Sequence, residues 1–69
     1  MNANDSTRAR LWIALLQNLR AGRSSMATVD KLPFGAAEHL ADLAADAGFI
    51  AAYDQADDGT WRVRATRIA

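Results

Sequence analysis

The run TWRVRAT places Arg62 and Arg64 two residues apart, with Thr60 and Thr66 outside them. On a strand, alternate side chains share a face, so these four would project together. Two guanidiniums flanked by hydroxyls on an open sheet can hold phosphate oxygens. An aromatic ring on the neighbouring strand, Tyr53 or Phe49, would add a stacking surface for single-stranded RNA or another single-stranded nucleic acid. Arg20 and Arg23, with Arg8 and Arg10, would extend a basic side from the first helix. The plain alternative is that arginine on an exposed strand keeps a sheet soluble and discourages edge pairing.

The other candidates are poorer in chemistry. His39 is the only histidine and there is no cysteine, which excludes disulfides, thiolate metal sites and any Cys–His pair. His39 flanks the apolar stripe of a helix and reads as half-exposed. Asp54, Asp57 and Asp58 lack the ligand spacing of a calcium loop and its closing glutamate, and read as turn residues. Ser24–Ser25 has no base arranged around it, and there is no glycine-rich phosphate loop. Trp12 and Trp61 fall on predicted inward faces and read as core. The expectation is a non-enzymatic binding module without cofactor or metal.

The elements that must position these residues follow from periodicity. Positions 1–5 read as a disordered N-terminus and 6–69 as one small domain. Asp5 or Ser6 can cap a first helix, whose Leu11, Trp12, Leu15, Leu16 and Leu19 repeat at spacings of three and four. Gly22 ends it. Thr28, Val29 and Leu32 suggest a short strand closed by Pro33, with a short helix over Thr28–Leu32 as the other reading. A second helix is expected from about Ala36 to Ala47, burying Leu40, Leu43, Ala44 and Ala47 and wetting Glu38, Asp42 and Asp46; Gly48 stops it. A hairpin follows, with Asp58–Gly59 in its loop. Its second arm sends Trp61, Val63 and Ala65 to one face and the arginines to the other. The order helix, strand, helix, strand, strand gives an α+β two-layer sandwich, two helices on a three-stranded antiparallel sheet. A winged helix is the alternative fold, and a DNA-binding protein the function that goes with it. It needs Thr28–Leu32 to be helical and a recognition helix that shows acids to phosphate.

Within that layout, LRAG at Leu19–Gly22, KLP at Lys31–Pro33, the Leu40/Leu43 pair and GFIAAY at Gly48–Tyr53 resemble the N-terminal domain of bacterial small-subunit ribosomal protein eight. The resemblance spans Leu11 to about Thr66 and implies the same two-layer fold and an RNA ligand. The chain departs from the family after Pro33. There the family carries a hydroxyl-rich, basic run, and this sequence has Phe34, Gly35, Ala36 and Ala37. Asp30 stands where an apolar strand residue is expected. The family's second domain is absent, and this chain is not basic. The resemblance therefore speaks for the fold more than for ribosomal RNA.

Composition bounds the partners. Eight basic and eight acidic residues cancel, so no general attraction to polyanions is built in. Seven of the eight basic residues lie near the chain ends and seven of the eight acids between them or within the hairpin loop. A fold that joins the ends would sort charge into two sides. Hydrophobic residues make up 51%, too many for a disordered chain, yet 69 residues build only a thin core. That thin core and zero net charge also suit a protein-interaction module or homodimer. No run is long enough to cross a membrane, and the N-terminus lacks a signal-peptide layout, which suggests a cytoplasmic protein.

Overall fold

The computed structural model describes residues 3–68. Helix α1 spans Ala3–Arg20, strand β1 Met26–Leu32, helix α2 Phe34–Asp46, strand β2 Ile50–Gln55 and strand β3 Trp61–Thr66. β3 lies in the centre of an antiparallel sheet of order β1-β3-β2. α2 lies across β2 and β3, and α1 lies against β1 and α2. The expected α+β two-layer sandwich is the architecture observed. Thr28–Leu32 belongs to β1, so the winged-helix alternative fails: among the described residues no helix lies between α1 and α2 to form a helix-turn-helix.

Both helices stop on a glycine in the left-handed region, Gly22 at φ 79° and Gly48 at φ 93°. The bonds are those of a Schellman motif. Arg23 N–H reaches Asn18 O and Gly22 N–H reaches Leu19 O; Phe49 N–H reaches Ala44 O and Gly48 N–H reaches Ala45 O. The second motif carries Phe49 back beneath the helix it follows, where it is buried. The start of α1 is less marked. Positions 1 and 2 lie outside the described residues, and the helix already begins at Ala3, before the expected caps Asp5 and Ser6.

The core is made by Trp12, Leu16 and Leu19 of α1, Ala37, Leu40, Ala41 and Ala44 of α2, Phe49, and Ala27, Leu32, Val63 and Ala65 of the sheet. Leu11 departs from expectation. It is 57% exposed although it falls beside the apolar stripe. α1 packs chiefly on β1 and the flank of α2, so it buries a narrow arc through Trp12, Leu16 and Leu19. Leu11, one residue or about 100° round from Trp12, falls outside that arc. The α2 stripe is centred on Ala37, Leu40, Ala41 and Ala44, with Leu43 and Ala47 at its margin.

One irregularity positions the rest. Val29 pairs with Val63 and Leu32 with Trp61, so Asp30 and Lys31 together face the single residue Arg62. This is a β-bulge. Lys31 takes φ 60°, unusual for a side-chain-bearing residue. The extra residue resets the alternation, so Leu32 turns inward and is buried.

Candidate functional site

Register decides which side chains share a surface. On the outer face of the sheet, away from the helices, Met26, Thr66 and Ile50 form one row; Thr28, Arg64 and Ala52 form the next; Arg62 and Asp54 lie opposite each other in the third. Arg62 and Arg64 do share this exposed face, as expected. It is not a basic face, however. Arg62 Nη2 donates to Asp54 Oδ2 at 2.8 Å, and Asp30 on the bulge adds a second acid near it. The hydrogen bond from Arg62 holds the Asp54 carboxyl below its usual range. Of the two arginines on this face, Arg62 is paired and Arg64 makes no hydrogen bond or ion pair among the described residues.

Tyr53 is not on that face. It pairs with Val63, an inward residue, so its side chain must emerge on the helix side. Its ring meets Phe34 and Trp61 at centroid distances of 5.9 Å each, and Phe34 meets Trp61 at 4.9 Å. The other aromatic candidate, Phe49, is buried. The outer face therefore carries no aromatic ring among the described residues, and the expected combination of arginines with a stacking platform is not assembled.

Arg20 and Arg23 are likewise remote from Arg62, at the C-terminal end of α1. Arg20 Nη2 donates to Ala47 O at 2.7 Å, and its guanidinium lies 5.4 Å from the Phe49 ring centroid. It ties the end of α1 to the end of α2. Arg23 Nη1 makes a long 3.5 Å contact with Asn18 Oδ1. Arg67, which sequence reasoning left outside the site, joins Arg20 in lining a recess with Ala47, Gly48, Phe49 and Ile68. Charge is thus sorted by end rather than by face. Arg20, Arg23 and Arg67 collect where both helices finish, and Asp57 and Asp58 lie in the hairpin loop at the other end of the sheet. Only the fold brings Arg20 and Arg67, forty-seven positions apart in the sequence, to one recess.

The hairpin acids are turn-formers. Asp58 Oδ1 accepts from Thr60 Oγ1 at 2.6 Å and Thr60 N–H at 2.9 Å, while Oδ2 accepts from Lys31 Nζ at 2.9 Å. The loop is thereby pinned to the bulge. These bonds, the Thr60 hydroxyl first and Lys31 next, hold the Asp58 carboxyl well below its ordinary value. A carboxyl depressed in the folded state stabilises above its unfolded pKa, near 3.8, and that contribution is lost as pH falls through the folded value. Thermal stability is therefore expected to be flat near neutrality and to fall below about pH 4. Asp58→Asn should be less stable than the parent at neutral pH, with the gap closing as pH falls; a gap that persists in acid would show that charge is not its source. His39 is exposed on α2, not tucked beside its stripe.

The two sheet edges differ. The β1 edge carries the bulge and the charges Asp30 and Lys31, devices that deter strand pairing. The β2 edge has no bulge, lysine or proline. Beside it stand Ile50, Phe34 and Tyr53, exposed by 56%, 47% and 40%. No described helix is long and apolar enough to cross a membrane.

Comparison of the chain with protein-family models, curated proteins and solved structures gives no match.

Proposed function

We propose that this chain is a non-enzymatic interaction module that self-associates by pairing β2 with β2 of a second copy. The observation that carries this reading is the asymmetry of the edges: β1 is guarded, and β2 is left open beside exposed aromatic and aliphatic side chains. Antiparallel pairing about a two-fold axis at Tyr53 keeps face parity. It sets Tyr53 against its own counterpart, Ala51 against Gln55 and Ala52 against Asp54. No like charges fall opposite one another, and Asp54 is already held by Arg62. The two three-stranded sheets become one six-stranded sheet, and the Phe34–Tyr53 patches of both copies close over the joint.

An RNA ligand is favoured less. Its support is Arg64 on the outer face and the Arg20, Arg23 and Arg67 end. The face has no stacking ring, and Arg62 is neutralised by Asp54. The residues Phe34–Ala37, in the place of the family's basic run, are apolar.

Sedimentation equilibrium across a micromolar-to-millimolar series tests the proposal. The 7.5 kDa chain should shift reversibly toward twice its mass. Ala52→Asp, on the solvent face, sets a carboxylate opposite Asp54 and should weaken association at least tenfold, about 1.4 kcal/mol. Tyr53→Phe should leave it intact. A chain that stays monomeric throughout, or associates equally well as Ala52→Asp, overturns the reading. Salt-sensitive capture of RNA by such a monomer would restore the nucleic-acid alternative.

A further inference from the structure

We infer that the groove between α1 and α2 is a binding site for a free single-chain aliphatic carboxylate. Two recesses meet there. The first, about 360 Å³, is lined by Ile13, Leu16, Gln17, Arg20, Leu43, Ala47 and Phe49. The second, about 260 Å³, begins at the shared Arg20, Ala47 and Phe49 and ends at Arg67 and Ile68. The first alone falls within the roughly 300–1,000 Å³ typical of small-ligand sites. Its wall is mostly aliphatic and aromatic, with Gln17 and Arg20 as its polar members, and Ile13 on its rim is half-exposed. The groove therefore offers a strip of apolar surface that leads to two guanidiniums.

Charge selects the head group. Among the described residues neither recess is lined by a carboxylate, and both are bounded by arginine. Arg20 is fixed in advance by its bond to Ala47 O and by the Phe49 ring, which leaves its remaining N–H donors directed by a side chain already ordered. Arg67 makes no hydrogen bond or ion pair among the described residues. It lies over the Gly22 turn, where a Cβ on Gly22 would stand 3.6 Å from its Nη1. An anionic head between Arg20 and Arg67, with its tail along Leu16, Leu43 and Ile13, satisfies both ends of the groove. A cationic or neutral head satisfies only one.

The test is an NMR titration of the whole labelled chain with decanoate below its micelle concentration. Decylamine and decanol serve as matched controls. Decanoate should perturb Ile13, Leu43, Ala47, Arg20 and Arg67 in a saturable manner, and decylamine should not. Lengthening the tail by two carbons should tighten binding by up to about fifteenfold if both methylenes are fully buried, and by less in an open groove. Arg67→Gln should weaken decanoate binding about tenfold, and Ile13→Asn, at an exposed position, should flatten the dependence on tail length. Both variants leave the buried core intact. Equal binding of decanoate and decylamine, an undiminished response in Arg67→Gln, or no saturable perturbation in the groove overturns the inference. So does occupation of the groove by an acidic amphipathic peptide that decanoate fails to displace.

Discussion

Trp12→Ala is expected to leave the chain largely unfolded at room temperature, and Trp12→Phe to cost about 2–3 kcal/mol. Trp12 is fully buried, and its Nε1 donates to Leu40 O at 2.7 Å, across 28 positions of sequence. It is the largest side chain in the core and makes a buried hydrogen bond directly between the two helices. Truncation to alanine typically costs about 3–5 kcal/mol. A domain of this length has a total stability of only roughly 3–10 kcal/mol. Phenylalanine keeps much of the ring but forfeits the hydrogen bond and leaves a void where the indole's second ring was. The unpaired carbonyl matters less than the void, because the α2 ladder also uses that oxygen. Trp61 supplies the contrast. It is only half-buried, in the exposed aromatic cluster, so Trp61→Phe should cost about 1 kcal/mol or less. Chemical denaturation followed by circular dichroism measures both. Equal losses at the two tryptophans would mean that α1 is not seated as described.

That contrast marks what could be read in advance. Both tryptophans fall on inward faces by periodicity, and both are inward, but periodicity does not say how deep each lies. β3 alternates cleanly, and its faces were legible. β2, Ile50–Gln55, does not alternate: Ile50 and Tyr53 are both large and fall on opposite faces. Its parity is set by the loop of residues 56–60, whose sequence permits more than one length of closure. The cross-strand partners Asp54 and Arg62 were the available clue. Placing these opposite charges together fixes Tyr53 opposite Val63 and removes it from the arginine face. The bulge was hidden for a related reason. Asp30 looks like a misplaced polar residue on a regular strand, and only the pairing shows that two residues share one partner. The groove and the open edge depend on strand order and helix placement, which local pattern does not encode. Arg67 became a candidate only when β3 delivered it beside the end of α1.

Ala44 is expected to resist change in both directions. Ala37, Ala41 and Ala44 are buried along α2, and Ala65 of β3 with the partly buried Ala51 of β2 lies on the sheet beneath. Small residues on both sides let the helix lie close to the strands, so added volume has nowhere to go. Ala44→Leu should therefore destabilise by about 2–3 kcal/mol despite its good helix propensity and added apolar surface. Ala44→Gly should cost about 1–2 kcal/mol through backbone freedom and a small void. Ala45→Leu, one position away and exposed, should be nearly neutral, which separates packing from propensity. The seating of α2 also governs both proposed surfaces. Its first residue is Phe34, beside the β2 edge, and its last turns place Leu43 and Ala47 in the groove. A leucine at position 44 that lifts the helix should weaken self-association and decanoate binding together, at temperatures where the variant is still folded. Tolerance of Ala44→Leu, with both surfaces unaffected, would mean that α2 rests on the sheet loosely and that neither surface is positioned by this contact.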